Sequence, residues 1–163
     1  MSTLNVSAAP HINSGATTHN VMRDVCIALL PASIAAVIFF GLPALLILAV
    51  CVASAVGAEF LFNLVLKQKQ TVFDFSAVVT GLILGLNLST NVPVWQCIIG
   101  SVFAIIVVKC LFGGIGQNLV NPAITARVFM LIAFTSIAAP AYPVDSASSA
   151  TPLAAETMPS LFD

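Results

Sequence analysis

Charge is what this sequence has least of. Only 7% of its 163 residues are Asp, Glu, Lys or Arg, with five cations against six anions and a formal net charge of −1. A soluble domain carries about 25% charged residues, so a freely soluble globular protein is excluded. A disordered chain is excluded too, because 60% of the residues are hydrophobic. No basic face is available to bind nucleic acid. Cysteine pairs are also missing. Cys26, Cys51, Cys97 and Cys110 form no C-x-x-C, so this chain alone lacks the spacing of a metal or iron–sulfur site. They read as small buried residues, although a cluster shared with another subunit stays open. The first residues lack a cationic stretch running straight into an apolar core, so no cleavable signal peptide is expected. Period-two alternation is absent as well, which argues against a membrane barrel.

What is present is apolar and continuous. Mean hydropathy is +1.10. Five apolar runs lie near 22–40, 43–66, 74–90, 93–112 and 122–139. They are separated at 41–43, 67–71, 89–93 and 113–122 by glycine, proline, polar or charged residues, as a chain leaving lipid requires. The expected fold class is an all-α membrane protein with about five transmembrane helices. Residues 1–21 form a polar N-terminal segment, 22–139 the five-helix segment, and 140–163 a tail. An odd number of spans suits one half of an inverted-repeat fold.

The few cations predict an orientation. With five spans, Arg23, Lys67, Lys69, Lys109 and Arg127 all fall on one side. The positive-inside rule then makes the N-terminal segment cytoplasmic and the tail extracytoplasmic.

Several polar residues stand out within or beside the spans. Glu59 lies in the second span, about two turns from its end. An ionisable group there faces protein or water, either on an ion path or in a structural hydrogen bond. Asp74 opens the third span and is expected as a helix N-cap. His11 and His19 are expected in a solvated tail or at a partner interface. The run Gly113-Gly114-Ile115-Gly116-Gln117-Asn118 lacks GK[ST] and follows a span instead of a strand, so it is not a phosphate loop. A broken or re-entrant segment packed inside the subunit is expected, with Asn118 and Asn121 satisfying freed backbone groups. A contribution to a flavin site or ion path stays open.

The tail reads Val144-Asp145-Ser146-Ala147-Ser148-Ser149-Ala150-Thr151-Pro152-Leu153. By composition it is a small-residue linker. Its order resembles D-x-x-[ST]-x-A-T, at which flavin transferases join FMN to a threonine hydroxyl through a phosphoester. Asp145, Ser148, Ala150 and Thr151 fill the fixed positions. Ser14-Gly15-Ala16-Thr17 shares S-x-A-T but has His11 where the motif wants aspartate, so capping or loop duty is expected of it.

Longer segments point the same way. Ala9-Pro10-His11 with Asn20-Val21-Met22, Ser76-Ala77-Val78-Val79-Thr80-Gly81-Leu82, and Lys109 to Asn118 followed by Asn121-Pro122-Ala123 occur in order along the chain. They resemble the SPH…IM, SAxxTGLL and K-x-x-[FY]GGxGQNxxNPA segments of the RnfD/NqrB family. The short N-terminus and the ATPL at 150–153 favour the RnfD side.

The resemblance implies two inverted five-helix repeats, of which this chain covers the first. It implies a subunit of an ion-translocating oxidoreductase in the prokaryotic cytoplasmic (inner) membrane, with no complete active site on this chain alone. Electrons would pass between ferredoxin and NAD, coupled to Na⁺ or H⁺ transport. The implied cofactor is covalent FMN on Thr151, with non-covalent riboflavin as a further flavin. The implied partners are other Rnf membrane subunits, a second flavinylated subunit, iron–sulfur subunits, an FMN transferase and membrane lipid, and no nucleic acid. Two other readings stay open: an NqrB-type subunit of a sodium-pumping NADH:quinone reductase, and a non-redox inverted-repeat channel.

The orientation is testable in intact cells with single cysteines placed in a background freed of native ones. An impermeant thiol reagent should label position 148 and spare position 67; the reverse pattern would overturn the orientation.

Overall fold

Two long helices open the fold, and a single glycine separates them. The computed structural model describes residues 17–67, 71–114 and 116–134. Helix α1 spans Thr18–Phe40 and α2 spans Leu42–Val65. At 1.5 Å per residue each is about 35 Å long, enough for a hydrocarbon layer of about 30 Å. Gly41 joins them at φ 73° and ψ −156°, a region open essentially to glycine alone. Its N–H closes α1 on the Val37 carbonyl at 2.9 Å, and Pro43 lies in the first turn of α2, where its missing N–H costs nothing.

The remaining helices are shorter. Helix α3 is Ser76–Asn87, preceded by a 3₁₀ turn at Val72–Asp74. Helix α4 is Val94–Cys110; it is α-helical over Val94–Val102 and π-helical over Phe103–Cys110. Helix α5 is Pro122–Ala133. Among the described residues there is no strand, and the chain is an all-α membrane protein.

Two expected boundaries change. Helix α1 begins four residues early, so His19 sits in its first turn, with its ring edge-on to Phe75 at 5.2 Å. Thr17 caps that helix, its side chain accepting from the Asn20 N–H at 3.4 Å. Helix α3 has only 12 residues, about 18 Å, and does not cross a bilayer by itself. Its backbone leaves the helix at Leu88 because Ser89 to Pro93 cannot continue it. Residues 135–139 of the expected fifth span lie outside the described residues.

Helix α2 is the spine. Its buried residues Ala44, Ile47, Leu48, Cys51, Ala55, Ala58, Glu59 and Asn63 recur at three- and four-residue steps and form one stripe. In lipid, apolar surface alone gives little drive to associate, so close packing of small residues must supply it. Gly81 and Gly85 do this on α3. A Cβ at Gly81 would stand 2.7 Å from Val52 Cα and 2.9 Å from the Cys51 carbonyl. Cys51, Leu84, Cys97, Ala104, Ala126 and Met130 then close one core across α2 to α5. Phe103 of α4 stacks on Phe129 of α5 at 4.1 Å. Cys51 and Cys97 are buried there as expected of small apolar residues, whereas Cys26 and Cys110 are half-buried.

Helix α1 buries none of its residues and turns Ile34, Ile38 and Phe39 outward, as a lipid-facing helix does. Hydroxyls within the helices are satisfied locally. Ser33, Ser54, Thr80 and Ser101 each donate to the carbonyl four residues earlier, at 2.7–3.0 Å.

Two glycines should behave oppositely. Gly81→Ala forces α2 and α3 apart and should cost about 1–3 kcal/mol. Gly57→Ala meets nothing within 4 Å and should be neutral or gain up to about 1 kcal/mol. Thermal unfolding of the purified protein in detergent measures both; equal effects would refute the close-approach argument.

Candidate functional site

Four segments far apart in sequence bring their polar side chains together at one end of the bundle. Glu59 comes from the buried stripe of α2, one turn before Asn63. Thr71 precedes the 3₁₀ turn, Ser76 starts α3, and Lys109 lies in the π-helical end of α4. The Lys109 ammonium donates to Glu59 Oε1 at 2.8 Å and to Ser76 Oγ at 2.6 Å. The Thr71 hydroxyl donates to the same Glu59 oxygen at 2.5 Å and accepts from Asn63 Nδ2 at 3.1 Å. Glu59 is 1% exposed and Lys109 3%. Glu59 Oε2 is buried without a hydrogen-bond partner among the described residues.

The energetics explain why these groups occur together. Either charge alone in an apolar interior would be very costly, and removing one partner of a buried pair typically costs 3–5 kcal/mol. The two extra hydrogen bonds on Glu59 Oε1 and Lys109 Nζ offset part of the desolvation. Even so, a buried pair is weak ground for stability, and ionisable groups inside membrane helices are functional candidates.

A cavity of about 380 Å³ opens beside the pair. Glu59, Asn63, Thr71, Asp74, Lys109 and Gly114 border it. It is roomy and polar enough for several waters. The backbone around Lys109 is pinned from three sides. Leu111 N–H bonds back to the Ile106 carbonyl at 3.1 Å, a five-residue step that continues the π winding. Gly114 N–H, at φ 88°, donates to the Lys109 carbonyl at 3.0 Å. The Asn118 amide, oriented with its nitrogen toward them, donates to the carbonyls of Lys109 at 3.2 Å and Gly114 at 3.1 Å. Asn121 caps α5 by accepting from the Ala123 N–H at 3.0 Å. Both asparagines thus satisfy backbone groups as expected.

Two expectations are corrected. Asp74 is not the N-cap of α3. Phe75, held at φ 59°, occupies that position without a side-chain cap bond, and Asp74 closes the 3₁₀ turn on the Thr71 carbonyl. Lys109 does not close its span as a surface charge, because the π winding carries it to Glu59. The four other cations alone therefore carry the orientation argument. The glycine-rich connection is broken as expected, and within this chain alone Leu111, Phe112 and Gly113 are exposed, as are Leu119 and Val120. It is a set of turns that reaches inward through Gly114 and Asn118.

Arg127 does not open α5. It sits in its second turn, half-buried, with Nη1 buried and lacking a partner among the described residues.

Asp145, Ser148, Ala150 and Thr151 lie outside the described residues. So do His11 and residues 14–16. Among the described residues no three His, Cys, Asp or Glu gather as a metal site. Sequence reasoning singled out Glu59 and missed its partners. The available signal was that Ser76 and Lys109 open two of the three longer motif segments, which meet at Glu59.

Against known proteins, residues 5–162 match the NQR2, RnfD, RnfE family. The chain belongs to that family. Three relatives are the D subunits of ion-translocating complexes. The chain is 48% identical, over 93% of its length, to that of the Na⁺-translocating ferredoxin:NAD⁺ oxidoreductase complex of Acetobacterium woodii. It is 34% identical over 91% to that of the proton-translocating ferredoxin:NAD⁺ oxidoreductase complex of Clostridium ljungdahlii. It is 39% identical over 79% to that of the ion-translocating oxidoreductase complex of Shewanella denitrificans. These matches cover 48%, 46% and 37% of the relatives, so the chain spans about half their length or less.

Thr71 gives the direct test of the cluster. Thr71→Val removes a donor to Glu59 and the acceptor of Asn63, and should cost about 1–3 kcal/mol. Thr71→Ser should retain nearly all stability. Equal melting of Thr71→Val and wild type in detergent would show that the network is not formed.

Proposed function

We propose that this chain is part of a membrane electron-transfer subunit that carries FMN covalently on Thr151. The observation that carries the reading is the run from Asp145 to Leu153, which falls inside the family match. The donor chemistry fits: a phosphoester needs one hydroxyl, and the small residues around Thr151 let a transferase fold the segment into its cleft. The Thr151 oxygen would bond to the flavin phosphorus of a flavin dinucleotide as its phosphoanhydride breaks, with the nucleoside monophosphate leaving and the hydroxyl proton lost. Asp145, Ser148 and Ala150 are the features the FMN transferase reads. The flavin, when bound, supplies one- and two-electron transfer.

The whole subunit would work in a complex that passes electrons between ferredoxin and NAD and couples them to Na⁺ or H⁺ movement. The names of the Acetobacterium and Clostridium relatives, one sodium- and one proton-translocating, support this reading. Its partners would be the other membrane subunits, a second flavinylated subunit and iron–sulfur subunits. A non-covalent riboflavin belongs to the same reading.

The chain would form the first five-helix repeat of an inverted pair in a prokaryotic cytoplasmic membrane. The N-terminal segment would be cytoplasmic and Thr151 extracytoplasmic, as the placement of Arg23, Lys67, Lys69 and Arg127 supports. Glu59 then lies near the cytoplasmic end of the helices, on the ion path. Glu59→Gln keeps the shape and removes the charge. Unchanged assembly and unchanged ion transport would leave Glu59 with a structural role only. Because the family includes NQR2, a quinone-linked reductase is the second reading. Dependence of the complex on ferredoxin, against quinone, separates the two.

Attachment is tested on a denaturing gel viewed for flavin fluorescence. Thr151→Val should abolish the fluorescent band, whereas Thr17→Val should not, since Thr17 caps α1 and lacks an aspartate six residues earlier. A band that persists in Thr151→Val would sink the assignment.

A further inference from the structure

The Glu59–Lys109 pair leaves one carboxylate oxygen unsatisfied, and both residues border open volume. Glu59 Oε1 takes both the ammonium and the Thr71 hydroxyl, while Oε2 of the same carboxylate has no partner among the described residues although the side chain is almost wholly buried. A buried carboxylate oxygen left this way is expensive. The adjoining cavity of about 380 Å³ is bordered by further oxygen donors, the side chains of Asn63, Thr71 and Asp74. Carboxylate, hydroxyl and amide oxygens are the ligands that hard cations prefer.

Lys109 stands in the way. Its ammonium already neutralises Glu59, and a second positive charge on the carboxylate would face it at close range with little water between. The ammonium cannot diffuse away, because it is tethered to a backbone pinned by Gly114 and Asn118. It can only shift, toward Ser76 Oγ, already bonded at 2.6 Å, or toward Asp74, which borders the same cavity. Besides Asp74, Cys110 of α4 is the other titratable group bordering the cavity.

We infer that Lys109 is a tethered counter-cation that a free alkali cation of the sodium class must displace to reach Glu59. The site therefore exchanges one positive charge for another and does not simply fill. Its carboxylate always has a counter-cation, so the site's net charge is the same before an ion binds and after it leaves. The inference rests on the reading of Glu59 as part of the ion path and gives that path a specific device.

The test uses the complex isolated from membranes with its full subunit, and Na⁺ alone as the probe. Thermal unfolding is followed against NaCl, with choline chloride holding ionic strength constant. A ligand that binds only the folded state raises the transition in proportion to its occupancy. Wild type should respond weakly and only at high Na⁺. Lys109→Gln, relieved of its competitor, should reach half its rise at about tenfold lower Na⁺ or less. If Lys109→Gln assembles poorly, Na⁺ present throughout isolation should restore it; failure of sodium to restore it would overturn the inference. Glu59→Gln/Lys109→Gln, neutral at both positions, should assemble and show no sodium response.

The failures are distinct. If Glu59→Gln abolishes the sodium response but Lys109→Gln leaves its midpoint unchanged, the ion path survives and the exchange is wrong. If Glu59→Gln responds like wild type, the ion path and the exchange fall together. If Lys109→Gln is stabilised by lowering pH and not by sodium, the displacing ion is a proton and the sodium-class assignment is wrong. None of these outcomes bears on FMN at Thr151.

Discussion

A carboxylate and an ammonium meet at 2.8 Å, almost wholly buried, inside an otherwise apolar bundle. Each forbids the other to leave, since a lone charge of this kind has no tolerable place between helices. Much of the local architecture follows from holding that pair. Helix α2 presents Glu59 from the same stripe that packs the core. Helix α3 must start where Ser76 can receive Lys109, and the chain before it doubles back so that Thr71 reaches the same carboxylate. The reversal uses left-handed backbone at Phe75 and Lys67, φ 59° and 53°, which neither residue adopts without strain. Strain of that kind persists only where surrounding contacts enforce it.

Lipid sets the second constraint. Hydrophobic burial cannot drive helices together when the solvent is itself apolar. The contacts that remain are steric, and they show in Gly81 against Val52 and Gly85 against Leu48. Backbone polarity must also be settled within the chain. The hydroxyls of Ser54, Thr80 and Ser101 bond their own helices, and the glycine-rich turn places N–H groups and an asparagine on the carbonyls that end α4.

The all-α class, the five apolar segments and the breaks between them were legible because each depends on local composition. Glu59 was legible for the same reason: a single carboxylate in an apolar run is conspicuous. Its partner was not, because Lys109 stands 50 residues away and at the end of an apolar run, where a cation ordinarily marks the edge of lipid. Nothing in the sequence announces π winding, which alters no residue type and shifts only the hydrogen-bonding step. The length of α3 was misread because hydropathy continues past Asn87 while the helix does not. Apolar character tells where a segment lies and says little about whether it is wound.

The π segment has a further consequence for how this protein tolerates change. Replacing one apolar residue by another within Phe103–Cys110 alters a side chain and leaves the winding in place. Deleting one residue would let the stretch relax to ordinary α-helix, since a π turn closes on the fifth residue and an α turn on the fourth. Residues after the deletion would then keep nearly the same facing, because the lost residue's rotation of about 100° is what the wider π turn had absorbed. Relaxation to α-helix without a deletion would instead swing Lys109 from Glu59 toward another face of α4 with its chemistry intact. The match between residue count and winding, more than residue identity, is what keeps Lys109 on Glu59 in this part of the chain.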